Sequence, residues 1–320
     1  MNQFTREQEA AVEAARRASK ICRSLQSRID GGTLEKHDKS PVTVADFASQ
    51  ALICDTLARH FPSDPIVGEE DSAELRQEAS RPILERVMSE LRGELDSEEQ
   101  VLASIDRGGS SAGSGRRWTL DPIDGTKGFL RGGQYAVALA LLIDGAVEVG
   151  VVACPNLDYP GGKGMLFGAV RGAGAFAEPL FERGERVAIR VSSQRDAAEL
   201  RVCESVESGH SKHDQSAAVS NGLGVKAEPL RVDSKAKYAL VASGAAELYL
   251  RLPKRADYRE KIWDHAGGYL IVQEAGGTVT DVDGKPLDFS RGRELSENRG
   301  VVVSHGPFHQ RVLELIASAS

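Results

Sequence analysis

The sequence predicts a mixed α and β protein in two parts: an α+β first half with helices over a largely antiparallel sheet, then an α/β second half. Three patterns carry this. Two capping-box signatures open helical stretches near the N-terminus. Long apolar arms flank Asp144-Gly145 as in a β-hairpin. Beyond about residue 190, short apolar runs alternate with helical segments. The boundary is expected near residue 185, giving parts 1–185 and 186–320.

Taken in order, Thr5-Arg6-Glu7-Gln8 opens a helix carrying Ala14, Ala18, Ile21 and Leu25 at helical spacing, closed by Asp30-Gly31-Gly32. Thr43-Val44-Ala45-Asp46 fits a second capping box before a helix through Leu52 and Leu57. Asp46 is there either a helix cap or a carboxylate held ionised near a helix start, able to accept a proton through a hydroxyl or water. Pro65 to Asp71 is a short buried strand running into Glu69-Glu70-Asp71, with Glu69 placed to point inward at the strand mouth. Residues 73–107 have the composition of surface helix, and Gly108 to Gly115 that of a mobile loop with no Walker lysine behind it. Tyr135–Ile143 and Ala146–Cys154 form the hairpin arms, and three further β runs reach Val191. In the second half, strands are expected at 201–204, 247–252, 278–282 and 301–303, and helices at 234–242, 264–275 and 308–316.

The net charge of −7 excludes the basic excess of a nucleic-acid binder, so any anion must be attracted locally. No apolar run approaches the roughly 20 residues of a membrane span, and the polar N-terminal segment lacks the apolar core of a secretory leader. Cys22, Cys54, Cys154 and Cys203 are widely spaced, without a Cys-x-x-Cys pair, and suit reduced structural thiols of a cytoplasmic protein rather than a zinc site.

The chain centres on Asp121-Pro122-Ile123-Asp124-Gly125-Thr126, which follows the β-type run Arg117-Trp118-Thr119-Leu120. Asp-Pro and Asp-Gly form turns readily, so an acidic turn is one reading. The other is a hard divalent-metal site, because two converging carboxylates repel unless a cation lies between them. Trp263-Asp264-His265-Ala266-Gly267-Gly268 adds an acid at a helix start, where its local role would be an N-cap.

Together, Gly68-Glu69-Glu70, Asp121 to Thr126 and Trp263-Asp264 resemble, in order and spacing, the lithium-sensitive, magnesium-dependent phosphatases that include inositol monophosphatase. Asp38 to Asp46, Gly125-Thr126-Lys127-Gly128-Phe129-Leu130-Arg131-Gly132, Leu250-Arg251-Leu252-Pro253 and Lys261 to Gly268 are most similar to the 3′(2′),5′-bisphosphate nucleotidases. The resemblance covers the whole chain. It implies a layered αβαβα fold with the active site between the two parts, and about two to three Mg²⁺ ions. It implies metal ligands at Glu69, Asp121, the Ile123 carbonyl, Asp124 and Asp264, and a catalytic pair Thr126–Asp46 that activates water. It places the nucleotide on Thr126, His210, Ser234, Lys237, Arg251 and Asp264, with His213 a neighbouring competitor of His210. The expected protein is a monomer acting on a small bisphosphate nucleotide, with neither nucleic acid nor membrane as partner. The rivals are an inositol phosphatase of the same fold, against which Lys127-Gly128-Phe129-Leu130 argues, and a non-catalytic nucleotide sensor.

Overall fold

The structure, a computed structural model, describes residues 3–30, 40–111, 113–159, 162–182, 184–206, 213–253, 255 and 257–318. Two helices come first, α1 (Thr5–Asp30) and α2 (Ser40–His60), then strand β1 (Ile66–Gly68) and helices α3 (Arg81–Glu90) and α4 (Glu98–Asp106). Strand β2 (Arg116–Asp124) leads into the short α5 (Thr126–Leu130), followed by β3 (Ala136–Ile143), β4 (Ala146–Tyr159), β5 (Gly162–Val170), β6 (Gly174–Pro179) and β7 (Val187–Ile189). The remainder is β8 (Val202–Glu204), α6 (His213–Leu223), β9 (Leu230–Arg231), α7 (Ala236–Ala242), β10 (Leu248–Arg251), α8 (Ile262–Glu274), β11 (Thr278–Thr280), β12 (Val301–Ser304) and α9 (His309–Ser318).

Strands β1 to β7 form one sheet in sequence order, antiparallel throughout except for the parallel β1–β2 pair. The small sheet runs β11-β12-β10-β8-β9, with β12 opposed to the others. Alternation along β3 explains the layering. Val137, Leu139 and Leu141 face α1, while Ala136, Ala138, Ala140 and Leu142 join the core under α7 and α8. Leu248, Leu250 and Val302 of the small sheet pack outward on α6 and α9 through Val219, Val312 and Ile316. The result is five layers: α1–α2, large sheet, α7–α8, small sheet, α6–α9. The hairpin turn has Asp144 at φ 50° and Gly145 at φ 83°, the left-handed pair that a two-residue turn of this twist requires.

Several local expectations are corrected. Helix α2 starts at Ser40 rather than after Thr43, so Asp46 lies in its second turn and caps nothing. Helix α8 starts at Ile262, so Asp264 is also inside its helix. Residues 73–107 hold two separate helices, α3 and α4, not one stretch. The glycine-rich segment is strapped to β1 at its start. Gly68 N–H donates to the Gly108 carbonyl at 2.7 Å, and Ser110 N–H to that of Ile66 at 3.0 Å. Helix α6 was not legible, because its polar sequence anchors on the core only through Val219 and the partly buried Leu223. All four cysteines are buried, and burial pushes the Cys54 and Cys203 thiols up to about 12.

Candidate metal and anion site

The acids converge because of strand register. Parallel pairing sets Gly68 beside Leu120, so the next residues, Glu69 just past the end of β1 and Asp121 within β2, emerge side by side. On its other edge β2 pairs Asp121 with Ala138 but Asp124 with Ala136, three steps against two. This bulge carries Pro122 and Ile123 and re-aims the acids on either side of it. Gly125 follows at φ 93°, and a Cβ there would sit 3.0 Å from the Ser234 Cβ, so the turn needs glycine both for conformation and for contact. The turn places Thr126 at the start of α5, exposed to the cleft.

Helix α2 braces this arrangement from behind. Ser49 Oγ donates to the Pro122 carbonyl at 2.9 Å. Gln50 spans the end of β1, its amide nitrogen donating to the Glu70 carbonyl at 2.6 Å and its oxygen accepting from Glu70 N–H at 3.0 Å. A Cβ on Gly68 or Gly108 would come within 2.6 Å or 2.5 Å of that amide, so both glycines make room for Gln50. Asp46 lies one turn before Ser49 and Gln50 on the same helix face. Burial, then the charges of Glu70 and Glu69, hold its carboxyl well above the usual range.

Helix α8 supplies the last acid. Asp121, Asp124 and Asp264 each offer a carboxylate oxygen, and these atoms lie within 4.8 Å of one another. Asp121 is 2% exposed and its Oδ1 has no hydrogen-bond partner. Burial and then the charges of Glu69, Asp124 and Asp264 raise its carboxyl well above the ordinary value. Glu69, open to the cleft but flanked by protein, is raised to about 7 by desolvation and then by Asp264 and Glu70. An orphaned buried carboxylate oxygen among like charges is costly by itself. Oxygen donors converging in this way fit a hard divalent cation. A second group of possible ligands, Glu260, Asp264 and His265, is already satisfied by protein partners.

The same cleft of about 460 Å³ also carries Lys235 and a basic wall of Lys237 and Arg251. Lys235 Nζ is 3.2 Å from Asp264 Oδ1 and 3.5 Å from Asp124 Oδ1, and Lys235 N–H donates to Asp124 Oδ2. Lys237 Nζ donates to the carbonyls of Val232, at 3.0 Å, and Ser234, at 2.7 Å. Desolvation pushes its ammonium down to about 8. Arg251 Nε donates to Glu260 Oε2 at 2.7 Å. Glu260 also meets His265 Nε2 at 3.0 Å, whose Nδ1 meets the Tyr238 hydroxyl at 2.7 Å. Burial alone would raise Glu260, but the His265 bond and the Arg251 charge outweigh it and hold the carboxyl well below its usual range.

Of the residues expected from sequence, Glu69, Asp121, Ile123, Asp124, Thr126, Ser234, Lys237, Arg251 and Asp264 all line this cleft. Asp46 lies behind it, and His210 falls outside the described residues. Lys237 is 2% exposed, not a solvated surface lysine. Sequence reasoning missed Ser49, Gln50, Lys235, Tyr238, Glu260 and His265. A signal existed for Gln50 and His265: each is a polar residue followed directly by a small or apolar helical run, Ala51 to Cys54 and Ala266 to Val272.

Five alternating layers define a layered αβαβα protein whose cleft carries both an acid cluster and a basic wall. The chain belongs to the inositol monophosphatase family, whose profile matches residues 5–320. That family is metal-dependent, and the acid cluster could hold the metal. A 3′(2′),5′-bisphosphate nucleotidase of Emericella nidulans is 44% identical over 344 residues, covering 98% of each chain. Proteins of the same name from Schizosaccharomyces pombe, 42% identical (99% of this chain, 96% of that one), and Oryza sativa, 43% identical (99% and 95%), are similar over comparable lengths. Among solved structures, the extragenic suppressor protein SuhB of Bartonella henselae has a TM-score of 0.66 at 22% identity, covering 98% of each chain. CysQ of Bacteroides thetaiotaomicron has 0.65 at 22%, covering 94% of this chain and 98% of its own. These two share the fold.

Proposed function

We propose that this chain is a Mg²⁺-dependent, lithium-sensitive 3′(2′),5′-bisphosphate nucleotidase. Its reaction is removal of the 3′-phosphate of 3′-phosphoadenosine 5′-phosphate to give AMP and phosphate, with the sulfated analogue as second substrate. The observation that carries this is the cleft's division into two regions, since a substrate with two phosphates needs both. The acid cluster suits the phosphate to be cleaved. The buried Lys237 and the partly buried Arg251 suit the one retained, because charged donors to phosphate make strong hydrogen bonds. The near-coextensive similarity to proteins named for this activity supports the same reading.

Glu69, Asp121, Asp124, Asp264 and the Ile123 carbonyl would hold about two to three Mg²⁺ ions. Bound Mg²⁺ would supply Lewis-acid stabilisation of the phosphoryl oxygens and a water more acidic than bulk water. The Thr126 hydroxyl orients the attacking water, and Asp46 orients and polarises that hydroxyl. Ser234, with Lys237 and Arg251, holds the nucleotide, and His210 is assigned to it as well. The reading includes a monomeric, cytoplasmic protein. Phosphate release from the adenosine bisphosphate, its sulfated form, inositol 1,4-bisphosphate and inositol 1-phosphate, with and without Mg²⁺, tests the proposal. Release from the nucleotides with Mg²⁺ is expected. Release from the inositol phosphates alone overturns it.

The Tyr238–His265–Glu260 chain makes Glu260 a positioning residue for Arg251. Glu260→Gln keeps an acceptor but removes the charge, a loss of about 1.5–3 kcal/mol for a charge-assisted bond. KM for the nucleotide should therefore rise about 10–100-fold, with kcat changed by less than about threefold. A purely structural role would instead lower stability and leave the KM of the folded fraction alone. Steady-state kinetics alongside thermal melting separates the two.

A further inference from the structure

Lys235 has no part in the chemistry above, yet its ammonium reaches the heart of the acid cluster. Only 5% of its side chain is exposed, and Nζ lies 3.2 Å from Asp264 and 3.5 Å from Asp124. The backbone that delivers it is fixed at several points. Ser234, just before it, has φ 70°, a left-handed value that a serine adopts only when its surroundings impose it. Ser234 Oγ accepts from Ala236 N–H at 3.2 Å, and its Cβ lies against Gly125. Arg131 Nη2 holds Asp233 at 2.6 Å, tying the same loop to the end of α5. By contrast, among the described residues no ion pair reaches Asp121 or Glu69. The cluster is therefore asymmetric. Its Asp124–Asp264 side is already neutralised by a cation of the chain, and its Asp121–Glu69 side is not.

We propose that Lys235 is a resident cation that competes with a divalent ion for the Asp124–Asp264 side. This rests on the reading of the acid cluster as a metal site. The substrate-free protein then takes up divalent ions in two unequal steps. The tight step is at Asp121 and Glu69. The weak one is between Asp124 and Asp264, where the ammonium must first be displaced. A displaced ammonium joins Lys237 and Arg251 on the basic wall, where an anion gives it a new partner. Phosphate and the second ion consequently assist each other's binding, and the coupling is reciprocal.

Mn²⁺ is the probe, followed by calorimetry and by the electron paramagnetic resonance of free Mn²⁺, on the full chain without substrate. Wild type should show a tight and a weak step, the weak one tightening when inorganic phosphate is present. Lys235→Met and Lys235→Gln should strengthen the second step about tenfold or more, because a unit charge within hydrogen-bond distance has been removed. Phosphate should then strengthen it by a smaller factor than in wild type. Equal steps in wild type, or the same isotherm in wild type and in folded variants, overturn the competition while leaving the metal site intact. If neither protein binds Mn²⁺, the metal reading falls and this proposal with it. Lys235→Arg, which keeps the charge, should leave the second step weak, and a second step strengthened in that variant overturns the competition.

Discussion

Asp121→Asn should abolish Mg²⁺-dependent phosphate release, by about 10³-fold or more, and at the same time make the metal-free protein more stable. Both effects come from one geometry. Asp121 sits at the β2 bulge with Glu69 beside it and with Asp124 and Asp264 near enough to raise its carboxyl. Its Oδ1 is buried without a partner. An amide there is a poor ligand for a hard cation, and metal catalysis of this kind contributes several kcal/mol, each 1.36 kcal/mol being about tenfold in rate. Without metal, however, the amide N–H₂ can donate to neighbouring carboxylates in place of a repelling charge, a gain of about 1–2 kcal/mol. The sign of the pH dependence follows. The folded carboxyls of Asp121 and Glu69 hold their protons to higher pH than the unfolded chain does, Glu69 to about 7. Metal-free wild type is therefore stabilised by protons at mildly acidic pH and loses that stability as pH rises through about 7. The advantage of Asp121→Asn should be largest at and above neutrality and shrink toward about pH 5. Thermal melting in chelator across this range checks it. A variant less stable than wild type at neutral pH would show that the acids are compensated by the protein itself.

Much of this site was legible in the sequence, because strand ends and turn residues leave local marks. Asp121, Pro122, Asp124 and Gly125 mark a strand running into a tight turn, and the structure adds the bulge that makes both acids face one cleft. The long apolar arms around Asp144-Gly145 marked the hairpin of β3 and β4, with β4 running on five residues past the expected Cys154 to Tyr159. Helix starts were less legible. A capping box at Thr43 and an acid at Asp264 both match a start signal, yet α2 and α8 begin earlier, so neither Asp46 nor Asp264 is spent on a cap. The residues that could not be read are those whose role depends on distant partners. Gln50 matters because Glu70 and Gly108 come to it, and Lys235 because Asp124, 111 positions away, receives its N–H. No local pattern encodes such meetings. They become visible only once the large sheet and α7–α8 are packed face to face.

Asp46→Asn should lower kcat by about 10²–10⁴-fold while leaving Mn²⁺ affinity within about threefold of wild type. The expectation depends on where α2 begins. With the helix starting at Ser40, Asp46 sits a turn before Ser49, whose hydroxyl holds Pro122, and α2 packs on α5, which begins with Thr126. The same face of α2 thus addresses the backbone of the metal loop and the residue that follows it. Asp46 carries no capping duty, and its burial near Glu69 and Glu70 makes its charge unfavourable without metal. Removing that charge should leave the melting temperature unchanged or slightly raised, whereas loss of a helix cap would cost about 1 kcal/mol. On the proposed mechanism Asp46 works through the Thr126 hydroxyl, so it is a positioning residue and its mark should be on the pH profile. The acidic limb of kcat, which requires an ionised carboxylate, should flatten in Asp46→Asn. Thr126→Val should match its rate loss, and the double variant should lose little more, because residues acting as one unit are not additive. If Asp46→Asn instead weakens Mn²⁺ binding and kcat in proportion, Asp46 belongs to the cation site and Thr126 orients water without it.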